Sequence, residues 1–118
     1  MNLGDRAEIR RSYSAADMAA FAGLSGVAPG STVPEPLIAA LFSYLLGVKL
    51  PGPGTNYLKQ DLAFSGTAPL ETDLTASVEI TRIRPEKQIV DLWARCVAPD
   101  GTVICEGRSL VKVRDVGA

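Results

Sequence analysis

Residues 35–46 read Glu-Pro-Leu-Ile-Ala-Ala-Leu-Phe-Ser-Tyr-Leu-Leu. The composition is helical, Pro36 suits a first turn, and Gly47 suits a C-terminal cap. After Pro36 only Ser43 and the Tyr44 hydroxyl are polar. A helix apolar on every side has to be surrounded by protein. In a chain of 118 residues, long enough for one domain spanning 1–118, a sheet wrapped around the helix can do this.

The sheet is legible on both sides of the helix. Ala7–Tyr13 reads as a first strand. Ser14 with Asp17 approximates a capping box for a short helix, which carries a stripe of Met18, Phe21, Ala22 and Leu24 and ends at Gly26. Residues 27–34, Val-Ala-Pro-Gly-Ser-Thr-Val-Pro, are turn-rich. Downstream, 57–64 is a candidate strand. In 74–83, Leu74, Ala76, Val78 and Ile80 alternate with Thr75, Ser77, Glu79 and Thr81. Pro85-Glu86-Lys87 turns the chain into 89–98, and Asp100-Gly101 predicts a two-residue hairpin loop into 103–113. That loop sets Arg95 opposite Glu106, Trp93 opposite Arg108 for a cation–π contact, Cys96 opposite Cys105, Val90 opposite Val111 and Ala98 opposite Val103. A one-residue slip would turn charges into the core. Strand, short helix, buried helix and four antiparallel strands make an α+β architecture of the hot-dog type, an antiparallel sheet wrapped around one long central helix.

Bulk composition narrows the function. Apolar residues make up 47% and charged residues 21%, with a formal net charge of -1 and no basic cluster, so neither nucleic acid nor a membrane surface is an expected partner. The longest apolar run, 37–46, is too short to span a bilayer, and the N-terminus does not read as a signal peptide. Two cysteines without a secretion signal point to the cytoplasm, with Cys96 and Cys105 either a pair of core thiols or a disulfide under oxidation. The chain has no histidine. That removes Ser-His-Asp and Cys-His nucleophiles and leaves no expected metal site or cofactor. Gly52-Pro53-Gly54-Thr55 lacks the lysine and the strand–loop–helix setting of a phosphate loop.

Several segments resemble the MaoC-like family, which includes the (R)-specific enoyl-CoA hydratases. Leu50-Pro51-Gly52-Pro53-Gly54-Thr55-Asn56-Tyr57-Leu58, with Gln60 and Phe64, is similar to the family's stretch after the central helix. Ala68-Pro69-Leu70 with Asp73 resembles its P-V-x-x-G-D turn, and Arg84–Val90 its R-x-D-K-x-I-x hairpin. Phe21-Ala22-Gly23-Leu24-Ser25-Gly26 resembles the start of its catalytic loop. The family continues there with D-x-N-x-x-H. Here Val27 stands at the aspartate position, Ala28-Pro29-Gly30 follows, and about a dozen or more residues are missing before the helix. Pro34-Glu35 stands where the family has H-G or P-G, so Glu35 replaces the glycine whose N–H helps hold the thioester carbonyl.

The resemblance implies an acyl-CoA or acyl-thioester ligand, with Ser43 and Leu46 matching substrate-lining positions of the family's central helix. Ser43 can equally bond back to the carbonyl four residues earlier. Glu35 is the candidate catalytic carboxylate, as in helix-borne acidic residues of hot-dog thioesterases, or simply a favourable charge at a helix start. Syn hydration of an enoyl thioester needs a base for water, an acid for the α-carbon and donors for the thioester oxygen. With the Asp/His pair missing, the expectation is a catalytically degenerate, non-catalytic or scaffolding subunit, as a homodimer or a heterodimer with a catalytic MaoC-like subunit. The alternatives are an active thioesterase or hydratase using non-standard residues such as Glu35, or a stable shell left by decay after duplication.

Overall fold

A computed structural model describes residues 1–117. Nine elements follow one another: β1 (Arg6–Arg11), α1 (Ala15–Ser25), β2 (Thr32–Val33), α2 (Glu35–Tyr44), β3 (Asn56–Phe64), β4 (Ala68–Pro69), β5 (Leu74–Arg84), β6 (Ile89–Val97) and β7 (Val103–Lys112). Five strands form one antiparallel sheet in the order β1-β5-β6-β7-β3. β2 and β4 make a separate two-residue pair, so the turn-rich 27–34 segment contains a short strand that its composition hides. Among the described residues no helix is long and apolar enough to cross a membrane.

α2 lies on the inner face of the sheet. Ile38, Leu41, Phe42, Leu45 and Leu46 are buried, and the inward side chains of β5, β6 and β7 that form the same core include Leu74, Val78, Ile80, Val90, Leu92 and Val111. Burying each such large side chain contributes about 1.5–3 kcal/mol. Two expectations for this helix fail. It does not stop at Gly47, because a π-helical turn, Leu45–Lys49, carries it onward, with Leu50 N–H bonding to Leu45 C=O. Nor is it enclosed on all sides. The sheet covers one face, while Pro36, Ala40, Ser43, Tyr44, Gly47 and Val48 are exposed. A single curved layer can reach only one side of a cylinder, and nothing in the shortened 27–34 connection covers the other.

α1 is capped as its sequence predicts. Ser14 Oγ accepts from Asp17 N–H at 3.1 Å, Asp17 Oδ2 accepts from Ser14 N–H at 2.8 Å, and Gly26 closes the helix at φ 78°. Its expected apolar stripe is largely unused. Met18 is buried, Phe21 and Ala22 are half-buried, and Leu24 is 90% exposed.

The β6–β7 pairing matches expectation at Val90↔Val111, Trp93↔Arg108, Arg95↔Glu106 and Cys96↔Cys105. The loop differs. Ala98 C=O accepts from Gly101 N–H, and Ala98 N–H donates to Thr102 C=O, which gives three loop residues with Gly101 at φ 88°. Val97, not Ala98, is opposite Val103, and Ile104 is the extra residue of a bulge. The added loop residue and the bulge shift the register in opposite senses, so the pairing beyond them is unchanged. The Trp93–Arg108 stack does not form either. Arg108 turns to Asp91 at 3.0 Å, because an ion pair at a nearly buried carboxylate outweighs a half-exposed ring.

Three measurements check this packing. Phe42→Ala should cost about 3–5 kcal/mol in urea unfolding, whereas Tyr44→Ala on the open face should cost under about 1 kcal/mol. Burial pushes the Cys96 and Cys105 thiols up from 9.0 to about 11. Thiol ionisation thus favours the unfolded chain. The stability the neutral thiols provide is complete below pH 9 and lost as pH rises toward 11. A Cys96→Ala/Cys105→Ala variant should lose stability less steeply over that window, and in the native protein both thiols should resist an aromatic disulfide reagent until unfolding.

Candidate functional site

The head of α2 reads Pro34-Glu35-Pro36. Pro34 is the N-cap in extended conformation, and no side chain caps the helix. Its carbonyl accepts from both Leu37 N–H at 3.0 Å and Ile38 N–H at 3.4 Å. The β2–β4 pair holds Thr32 and Val33 against Pro69 and Ala68, which fixes how the chain enters the helix. Between these elements and the end of β3 lies a cavity of about 240 Å³, with Val33, Glu35, Ile38, Phe64, Thr67 and Ile104 among its walls. Its lining mixes polar and apolar surface, with Glu35 the one charged group. Glu35 itself is exposed. Its charge reaches the core: after burial and Cys96, the Glu35 carboxylate is the next influence raising the Cys105 thiol.

The three residues singled out from sequence are not brought together. Glu35 lines the cavity, but Ser43 and Leu46 do not. Ser43 lies eight residues along the helix, about 12 Å at 1.5 Å per residue, and is exposed on the open face. Leu46 is buried in the core. The connection Val27–Pro34, where a proton-transfer pair is expected from the family motif, contains no titratable side chain.

Two polar clusters were not found from the sequence. On the inner face Ser109 is fully buried. Its Oγ lies 3.5 Å from Tyr57 Oη and accepts from Gln60 Nε2 at 3.4 Å. Burial raises the Tyr57 hydroxyl above its usual range, and the Ser109 contact offsets part of this. The signal was a serine at an inward position between Gly107 and Val111, which a strand pattern read by hydrophobicity alone passes over. On the outer face, Asp91 Oδ1 receives Arg84 at 2.8 Å and Arg108 at 3.0 Å, with the Asp91 side chain only 8% exposed. A buried carboxylate between two guanidiniums ties β5, β6 and β7 together, while the buried Arg84 Nε has no hydrogen-bond partner among the described residues.

No family model matches the chain. It is 34% identical over 128 aligned positions to the (R)-specific enoyl-CoA hydratase of Aeromonas caviae, covering 96% of each protein. An alignment longer than the chain itself means that part of the relative faces a gap here, as the short Val27–Pro34 connection leads one to expect. The solved structure of the A. caviae (R)-hydratase involved in PHA biosynthesis superposes with a TM-score of 0.86, covering 95% of this chain and 96% of that one. The ChsH1–ChsH2 complex of Mycobacterium tuberculosis shares the fold at a TM-score of 0.77 and 11% identity, covering 96% of this chain and 98% of that one. With sequence similarity over nearly its whole length, and a helix-on-sheet architecture to match, the chain belongs to the (R)-specific enoyl-CoA hydratase family.

Proposed function

We propose that the chain is a non-catalytic, acyl-thioester-binding subunit that works in the cytoplasm beside a catalytic MaoC-like partner. The observation that carries this reading is the Gly26-to-Glu35 connection. Residues 27–34 hold no acid or base, and the whole chain has no histidine. Losing acid–base catalysis typically costs about 10²–10⁴ in rate.

The surface favours a partner. The open face of α2 runs from Pro36 to Val48 without a charge. β3 is an edge strand of nine residues, with Tyr57 and Leu58 exposed beside it. An unpaired strand edge and an uncharged helix face are each surfaces that a second chain of the same fold can cover. A neighbour of this fold is a complex of two differently named chains. In such a pairing Ser43, exposed on the open face, and Leu46, behind it, would border the acyl group.

One observation favours a second reading. Glu35 is the only charged residue of the cavity at the helix head. A thioesterase could use that carboxylate to activate water or attack the thioester carbon.

Assaying the purified chain with a trans-2-enoyl-CoA, alone and with a catalytic MaoC-like subunit from the same source, separates these readings. No hydration alone and co-elution as an active complex with the partner is the expected result. Steady hydration by the isolated chain would overturn the first reading. Release of free CoA from a saturated acyl-CoA, abolished by Glu35→Gln, would establish the second.

A further inference from the structure

β1 is the sheet edge opposite β3, and two of its residues share the inner face. Ile9 pairs with Ala76 and Arg11 with Leu74, both buried inward residues of β5. Arg11 therefore sets a cation at an inward position. Across from it, α2 presents Leu37, Ala40, Leu41 and Tyr44 at the spacing of one helical stripe. A predominantly apolar groove of about 380 Å³ lies between them, walled on the strand side by Ile9, Arg11 and Tyr13. Small-ligand sites usually span about 300–1,000 Å³.

Two polar groups in this groove are unused. The Arg11 guanidinium lies 5.5 Å from the centre of the Tyr13 ring and has no ion-pair partner among the described residues. The carboxylates near Tyr13 are engaged in backbone contacts: Asp17 accepts from Ser14 N–H at 2.8 Å and Glu71 from Ala15 N–H at 3.3 Å. Tyr13 itself is 7% exposed, and its hydroxyl has no hydrogen-bond partner among the described residues. Arg84 Nε is the one fully enclosed side-chain atom without a partner. The Tyr13 oxygen thus keeps access to open space, and the space its side chain lines is this groove. An inward charge can protect a strand edge from unwanted pairing. That role would account for Arg11 and leaves the buried, unpartnered phenol unexplained.

We propose that this groove binds a free medium-chain fatty acid. Its alkyl chain lies along Ile9, Leu37, Ala40 and Leu41, and its carboxylate accepts hydrogen bonds from the Arg11 guanidinium and the Tyr13 hydroxyl. The helical stripe from Leu37 to Tyr44 is about 10 Å long at about 1.5 Å per residue, which suits a chain of medium length. The groove shares no wall residue with the cavity at the helix head. The inference is therefore independent of whether this chain pairs with a catalytic partner.

The test is titration of the protein with octanoate at fixed ionic strength, followed by calorimetry and methyl NMR. 1-Octanol keeps the chain without the charge, acetate keeps the charge without the chain, and octanoyl-CoA replaces the carboxylate by a thioester. Octanoate should bind saturably and shift the methyl signals of Ile9, Leu37 and Leu41. Octanol should bind about tenfold more weakly or worse, and acetate should not saturate. Arg11→Gln should lose about tenfold or more in octanoate affinity, and Tyr13→Phe, which removes one oxygen from a retained ring, about threefold or more. Arg10→Gln, the same charge change on the opposite face of β1, should bind as the native chain does. Absence of saturable octanoate binding, or octanol binding as tightly, overturns the inference, and both readings need only the native chain. Native affinity in a folded Arg11→Gln or Tyr13→Phe variant also overturns it, as does an equal loss in Arg10→Gln. Octanoyl-CoA shifting the same methyls at equal affinity would overturn the assignment to a free acid.

Discussion

One apolar seam organises the molecule: Ile38, Phe42, Leu45 and Leu46 of α2 against the inward residues of β5, β6 and β7. The sheet has to keep those residues inward along its whole length, and a regular strand cannot do so wherever the sequence breaks its two-residue alternation. The irregularities of the sheet occur at such breaks. A bulge at Thr81 lets Ile80 pair with Leu92 and Ile83 with Val90, although the two isoleucines are three residues apart. Another at Leu58 pairs Tyr57 with Val111 and Gln60 with Ser109. The bulge at Ile104 does the same between Val103 and Cys105. Each leaves one residue unpaired, and in exchange the core contact continues.

The same seam explains why the functional end of the molecule is located where it is. Once α2 is held by one face, its first turn meets the β2–β4 pair and the end of β3, and a cavity results at the junction. The Pro34-Glu35-Pro36 sequence keeps the helix in position, with Leu37 and Ile38 N–H taken by the Pro34 carbonyl and Glu35 N–H left as the free donor of this turn among the described residues. Position and chemistry are separable because backbone packing sets the first, while a few local residues set the second.

Much of this was legible in the residues. The capping box of α1, the strands and the β6–β7 register all rest on local patterns or on pairs tied together by a short loop. What was misread depended on distance in the fold. The size of the Pro99-Asp100-Gly101 loop was missed because a bulge four residues away cancels its offset. The Trp93–Arg108 stack was expected from register alone, and Asp91, on a neighbouring position of the same strand, drew the guanidinium away. Ser109 went unnoticed because its partners, Tyr57 and Gln60, come from a strand some fifty residues earlier in the chain.

By itself the sequence determined which elements form, which face of each strand is apolar, and that no histidine is available to carry protons. These follow from short-range periodicity and from composition, which need no third dimension. Only the tertiary structure decided that α2 is covered on one side alone, that Ser43 and Leu46 lie away from Glu35, and that Glu35 meets a cavity. Those outcomes depend on how a curved sheet and a rigid helix share space, and neighbouring residues along a chain do not encode which of their sides will be covered.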